Sequence, residues 1–520
     1  MSTDSELKRS IRILRTWPAR LGARFHCNSL PGKSPLHREL PKHLGTATMW
    51  MGFGHIVRTA ASVAQILVLS RILQPADFGI VAVCAPIVAF IALFQDPGLG
   101  QAAIQKEHLT SGEASLLFWI DIGIGLVLGV ILMGAAPAVG AFYEDKRITS
   151  YLMATCITFV VAGGGVQHEA LLAREMRFDI LAVNTAISGI LGLVAAVVAG
   201  LYDFSYWSLY IGSFVTTFFY VVGLWSFSKW RPGWPKKTTS ANWFMSFGMN
   251  LTGFNVVNFF ARNLDGLLVG RYWGLIELGH YDRANRLLLA PLTQVMAPLY
   301  KVMIPVLSRL NSQPDRYRDV YIRTLAAALI LILPGIAFAT ATSDVLIAAV
   351  LGPRWDYAAQ IFSVLGIAGL LQAMNNPAGW LFITQGRTKE FFRWGLVSSL
   401  LVVAAFFVGL RYGGIGVAVA YVVAEYIKTP LLWMYVGRRG PVRTLDIASA
   451  VGPLQLAAHL SLAATWLVHF CLPSVAALLF SLVTCVVTFF AIVIAFPRTR
   501  RLTADIIFNS WSDRPRVIHW

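Results

Sequence analysis

Polar and charged side chains recur at the spacing three, four, three on two otherwise apolar stretches of the chain. His55, Arg58, Ser62 and Gln65 stand on one; Asn255, Asn258, Arg262 and Asp265 stand on the other. This spacing keeps each set on one face of a helix. The second set follows the first at an offset of 200, residue for residue. A charge in the hydrocarbon of a bilayer costs roughly 2.5 kcal/mol or more, so Arg58 and Arg262 must face protein or water. Two readings stand. In one, Arg262 and Asp265 pair with each other and the amides join helices. In the other, both stripes line a hydrated cavity. Two guanidiniums there suit an anion, and their planar, bidentate geometry makes pyrophosphate the natural candidate. Lys301 adds a further cation to that substrate-binding set of Arg58, Arg262, His55, Asn255 and Asn258.

Carboxylates in apolar runs are the next chemistry. Asp96 lies in Phe94-Gln95-Asp96-Pro97-Gly98, where Pro-Gly breaks a helix. A carboxylate at a break either carries a proton or cation, or satisfies the N–H groups that the break frees. Asp121 is at a comparable depth and is its candidate neighbour. Asp96 and Asp265 are the candidates for ion coupling. His168, Glu169 and Arg174 fall near the end of one run. Asp282, Arg283 and Arg286 fall near the end of another, with Gln294 and Lys301 further in and Pro291, Pro298 and Pro305 every seven residues. Each proline removes an intrahelical hydrogen bond and favours bending. Glu425 and Lys428, three apart, read as a structural pair. The chain has no GxxxxGK[ST] loop, no HExxH and no GxSxG, so no catalytic residue, cofactor or metal is expected. The five cysteines form no CxxC, and four lie in apolar runs as small buried hydrophobes.

The elements that must position these residues follow from composition. Of 520 residues 56% are hydrophobic and 13% charged, against about half and a quarter in soluble domains. The excess is gathered in runs, and roughly 20 apolar residues cross a bilayer, giving about 14 spans. They are 48–73, 78–105, 112–142, 149–173, 178–201, 206–230, 244–272, 278–310, 320–342, 359–385, 391–410, 415–436, 448–472 and 475–496. The fold class is an all-α polytopic membrane protein. Net charge is +17. Lys and Arg sit in alternate loops, with Arg174 and Arg177, Lys236 and Lys237, Arg316 and Arg318, Arg387 and Lys389, and Arg438 and Arg439 on one side. Those loops are cytoplasmic by the positive-inside rule, as are both termini. No loop is long enough to bind nucleic acid. Segment 1–46 has no apolar signal core and reads as a basic, dispensable cytoplasmic tail; 498–520 reads as a second basic tail.

A repeat is visible at the same offset. Arg71 matches Arg271 and Phe78-Gly79 matches Leu278-Gly279, each pair between the first and second spans of a set of six. The expected organisation is therefore a lobe of six helices over 47–230, a cytoplasmic linker at 231–242, a second six-helix lobe over 243–437 related by a pseudo-two-fold, and two C-terminal helices within 445–497. Paired bundles of this kind rock about a central site.

Four segments in this order carry a family likeness: Leu69 to Gly79 (LSRILQPADFG), Asp96 to Gln105 (DPGLGQAAIQ), Ala261 to Asp265 (ARNLD) with Val269-Gly270-Arg271, and Leu287 to Leu292 (LLLAPL). Across about 48–440 the chain resembles the Wzx-type polysaccharide transporters, lipid-linked oligosaccharide flippases of the superfamily that also holds multidrug (MATE) antiporters. Position 70 is Ser where that family usually has Ala, and the N-terminal tail departs from its usual start. The resemblance implies flipping of undecaprenyl-pyrophosphate-linked oligosaccharide units across a bacterial inner membrane, for exopolysaccharide, capsule or lipopolysaccharide synthesis. It implies a lipid-linked oligosaccharide and membrane lipids as partners, contact with a polysaccharide polymerase and export machinery, and H+ or Na+ as coupling ion. A multidrug antiporter would want acidic residues where Arg58 and Arg262 stand. A glycan polymerase or ligase would want a large outer loop, and none is present.

Overall fold

The computed structural model describes residues 40–95, 99–105, 109–234, 241–472 and 477–512, and side chains over most of these. Residues 50–520 form one compact unit, and residues 1–49 are a separate one. The regular elements among the described residues are all helices, joined by short turns and loops, with no strand among them. In chain order the helices are α1 Leu40–Ile72, α2 Pro75–Ala92, α3 Leu99–Gln105, α4 Ser111–Phe142, α5 Lys146–Arg174, α6 Phe178–Leu201 and α7 Trp207–Phe227. They continue as α8 Ala241–Arg309, α9 Pro314–Ala341, α10 Ser343–Leu351, α11 Asp356–Asn375, α12 Ala378–Thr384, α13 Thr388–Gly409, α14 Gly413–Gly437, α15 Thr444–Cys471, α16 Ala477–Ala495 and α17 Pro497–Ser512.

Eleven stretches among the described residues are long and apolar enough to cross a membrane. Two of these hide a reversal. The 69-residue α8 has one non-helical position, Gly274, at φ 86. The Tyr281 hydroxyl donates to Asp265 Oδ2 at 3.0 Å although the two residues are 16 apart in sequence. In a straight helix that separation is about 24 Å, so the chain turns back at Gly274 and α8 is two crossings. Glycine fits because a side chain at this φ is strained. The stretch 388–437 reverses likewise at Gly413, φ 75, between α13 and α14. With α1 added, the crossings number about 14, as length and hydropathy predicted.

Boundaries agree closely where polar loops flank the runs; α6 ends where the sequence placed it. The differences have local causes. The expected second span is not one continuous helix: α2 ends at Ala92, turns follow over 93–95, and helix is described again from Leu99 as α3, while Asp96-Pro97-Gly98 lies outside the described residues. The tenth span pauses at Asn376-Pro377 between α11 and α12, since proline cannot donate the hydrogen bond that would continue the helix. By contrast, the second half of α8 runs on through Pro291, Pro298 and Pro305. The segment expected as a C-terminal tail begins with α17, and α1 begins before the expected span, at Leu40.

Within the compact unit, α4 packs on α5, α6 on α7 and α5 on α7, while α9, α11, α13 and α14 form a second group and α15 and α16 lie against α9. The groups meet chiefly where α2 packs on α8. The chain leaving α7 lies over α4: the Trp119 indole N–H donates to the Gly233 carbonyl at 2.9 Å, and Gly233 N–H donates to Ser115 Oγ at 3.0 Å. His168, expected near a membrane boundary, is fully buried beside Trp225 and Trp230. Glu425 and Lys428 form the expected pair, and Asn375 donates to Glu425 at 3.3 Å. Cys84, Cys156 and Cys485 are buried free thiols, whereas Cys471 is exposed.

Candidate functional site: two polar arcs beneath a sealed end

From Trp50 onward α1 has three faces. One is buried: Gly54 abuts Ala182 of α6, Arg58 backs onto Gly189, and Leu69 and Ile72 reach Gly200. His55, Arg58 and Ser62 are exposed beside it, on an arc of roughly 60° at 3.6 residues per turn. Ile56, 67% exposed, and Val63 are exposed on a different arc, roughly 80 to 160° away. The polar arc requires water and the apolar arc accepts lipid. Tyr220 of α7 is close enough to feel the Arg58 charge and is hydrogen-bonded with Glu169.

The second half of α8 is divided in the same way. Leu288, Leu292, Met296, Met303 and Leu307 are buried in the core. Arg286, Thr293, Gln294, Ala297 and Lys301 are exposed, on an arc of roughly 100°. Tyr300 borders it, 45% exposed. Pro291, Pro298, Pro305 and Val302 make the neighbouring exposed arc, which is apolar. Small Ala297 between the polar residues leaves room in front of the helix. Three cations, Arg58, Arg286 and Lys301, thus stand on exposed polar arcs of membrane-spanning helices, and neither arc carries a carboxylate among the described residues.

At the end of the bundle where α1 gives way to α2, the two repeat motifs touch. A Cβ on Gly79 would lie 1.9 Å from the Leu275 carbonyl oxygen, and one on Gly279 would lie 2.0 Å from that of Pro75. Only glycine at both positions permits this approach. The two glycines, equivalent at offset 200, therefore face each other's helices across the α2–α8 contact. Around it, Arg71 Nη2 donates to the Ala349 carbonyl at 2.6 Å, and the Trp355 indole donates to the Ser70 carbonyl at 2.9 Å. Phe78 lies edge-on to Trp355 at 5.3 Å, with the Arg283 guanidinium 4.6 Å above the Phe78 ring. Further out, Arg271 pairs with Glu144 at 3.1 Å, and the Tyr143 hydroxyl donates to the Leu267 carbonyl. These contacts close this end. Asp282 connects the closure to the polar arc, since it accepts from Arg283 at 2.9 Å and from Arg286 at 2.8 Å.

Of the residues singled out from sequence, His55 and Arg58 share one exposed arc and Lys301 stands on the other. Asn255, Asn258 and Arg262 are on the helical backbone of α8, but their side chains lie outside the described residues, as does Asp96. Asp265 is half-buried and accepts from Tyr281. Asp121 is buried and accepts from Gln167 Nε2 at 2.8 Å. No cluster that could hold a metal occurs among the described residues. Sequence reasoning set Arg286 among charges at the end of a span and passed over Tyr300. The seven- and eight-residue steps from Arg286 to Thr293 and Gln294 were the available signal for the first, and nothing in the sequence marked the second.

Residues 68–360 match a family described as "Polysaccharide biosynthesis protein". The chain is 23% identical over 391 residues to "Lipopolysaccharide biosynthesis protein WzxC" of Escherichia coli (strain K12), covering 74% of this chain and 78% of that one. It is 26% identical over 352 residues to "Succinoglycan biosynthesis transport protein ExoT" of Rhizobium meliloti (strain 1021), covering 67% and 70%. Among solved structures it shares the fold of "Lipid II flippase MurJ, inward closed conformation", with TM-score 0.69 at 14% identity over 88% of this chain and 99% of that one.

Proposed function

The chain belongs to the polysaccharide biosynthesis protein family, and from that premise we propose that it is a secondary transporter, not an enzyme. Its proposed cargo is an undecaprenyl-pyrophosphate-linked oligosaccharide repeat unit, moved by alternating access across the bacterial inner membrane. The polymer served is an exopolysaccharide, capsule or lipopolysaccharide. The observation that carries this reading is the pair of water-requiring arcs bearing Arg58, Arg286 and Lys301, on which no carboxylate is exposed among the described residues, Asp282 at the border being held by Arg283 and Arg286. A pyrophosphate needs several donors and a compensating positive charge, and guanidinium supplies both in one plane. In this reading Arg58, Arg262 and Lys301 hold the pyrophosphate, His55, Asn255 and Asn258 frame it, and Arg286 receives it by leaving Asp282. The exposed apolar arcs beside the polar ones let the lipid tail stay in the bilayer while the head group crosses. The lobes are 47–230 and 243–437, hinged through 231–242, with both termini and the basic loops cytoplasmic. The closure around Gly79 and Gly279 is then the periplasmic gate. Asp96 and Asp265 are the proposed sites for a coupling proton or sodium ion. A multidrug antiporter of the same fold is the less favoured reading, because cationic drugs would be repelled by these arcs.

The test is complementation of polymer export in a strain lacking the chain. Arg58→Ala and Lys301→Ala should each abolish export at normal membrane levels, with lipid-linked units accumulating on the cytoplasmic face. Arg58→Lys should rescue only in part, because an ammonium lacks the planar fork. Normal export by both Ala variants at normal expression would overturn the anion site.

A further inference from the structure

A charged cavity lies outside these arcs, at the end of the bundle where α9 and α15 begin. It has a volume of about 600 Å³ and is lined by the start of α9, the start of α15 and the first turns of α17. Its charged residues are Arg318, Arg323, Asp315, Asp319, Asp446, Arg498 and Arg501. Most of these are already paired within the wall. Arg318 meets Asp315 at 2.8 Å and Asp446 at 4.0 Å, and Arg323 meets Asp319 at 2.9 Å. Asp446 is also engaged by the Arg443 backbone N–H at 3.0 Å, closing the first turn of α15. Arg498 and Arg501 have no ion-pair partner among the described residues, and both are exposed. Their spacing of three sets them on one side of α17, beside Leu502, which also lines the cavity. Four guanidiniums against three carboxylates leave the cavity with a positive excess, and that excess sits on α17.

The position of the cavity says what the charge is for. It opens where α16 has just ended and where α9 and α15 begin, so it lies at the level of a bilayer surface. This is the end that carries the basic loops, the one expected to face an anionic leaflet. Leu502 and buried Thr503 turn toward the protein while Arg498, Arg500 and Arg501 are exposed, so the first turns of α17 lie along the surface as an interfacial helix does. We propose that this cavity holds the phosphodiester head group of an anionic membrane lipid, gripped by Arg498 and Arg501, and that the lipid fastens α17 to α9 and α15.

The experiment uses the full chain purified in detergent, with retained lipid counted by native mass spectrometry. It is titrated with phosphatidylglycerol, with phosphatidylcholine and, separately, with inorganic phosphate. Wild type should retain phosphatidylglycerol in preference to phosphatidylcholine. Arg498→Gln with Arg501→Gln should weaken that retention about thirtyfold, from two surface charges. Arg438→Gln with Arg439→Gln, removing equal charge from another basic loop, should leave it unchanged. Asp319→Asn releases Arg323 and should strengthen retention, an increase that misfolding cannot mimic. The proposal falls if wild type does not discriminate the two lipids, or if the Arg438/Arg439 variant loses as much as the Arg498/Arg501 variant. It also falls if Asp319→Asn brings no gain, or if inorganic phosphate displaces phosphatidylglycerol at equal concentration, which would mark a soluble-anion site.

Discussion

Replacing Gly79 by Ala tests the closed end directly. The added Cβ would stand 1.9 Å from the carbonyl oxygen of Leu275, and real contacts essentially never fall below 3.0 Å. The obstacle is backbone, so no rotamer change relieves it, and α2 and α8 must draw apart by about 1.1 Å. Forcing a packed contact open in this way costs about 2 kcal/mol, a factor of roughly 30 in an equilibrium. The cost falls only on the state in which these helices touch. In a two-state transporter the variant should therefore populate the opposite state by that factor. Spin labels at Tyr202→Cys and Tyr272→Cys, both exposed near the closed end, would read the change by double electron–electron resonance. The Gly79→Ala distribution should gain a longer distance, and Gly279→Ala should do the same, since its Cβ meets the Pro75 carbonyl at 2.0 Å. Because the two glycines share one contact, the double variant should add little to either single one. A folded Gly79→Ala protein with the wild-type distribution would refute the reasoning.

Two further outcomes are expected. Glu425 is 2% exposed and its partner Lys428 14%, so Glu425→Gln or Lys428→Met alone leaves a buried charge and should cost about 3 kcal/mol, while the double variant should regain most of it; thermal unfolding in detergent measures this, and single variants no worse than the double would discount the pair. At the closed end, the Arg147 side chain holds the Asp145 carboxyl below its usual range. A depressed carboxylate contributes stability above its unfolded pKa and loses it as pH falls through the folded one. The advantage of wild type over Asp145→Asn should therefore be level from neutral pH down to about 4 and fade below it, as unfolding curves across pH would reveal.

Much of the architecture was legible because the bilayer reads sequence in a simple way. A run of apolar residues must cross as a helix, since only a helix satisfies every backbone group within its own segment. That is why α6 and the reversals near Gly274 and Gly413 could be placed from hydropathy and loop charge. What hydropathy could not see was α17, whose first turn is basic and which lies outside the long apolar runs. Short α10, between two spans, escaped for a similar reason: nine residues are too few to carry a spanning signal.

The site divides along the same line. Periodicity by itself put His55, Arg58 and Ser62 on one face, because a helix converts spacing into direction. It also set out the expectation of a repeat at offset 200, because two copies of one fold would keep the same residues at corresponding turns. Tertiary structure decided which face meets water. Arg58 is exposed beside a face buried on α6, and Lys301 shares its arc with Arg286 only because α8 doubles back at Gly274 and buries the other side of its second half. It also decided that Gly79 and Gly279, 200 positions apart, press against each other's helices. Local pattern sets the direction of a side chain within its own helix. What that direction points at depends on where distant helices pack, and no short stretch of sequence contains that information.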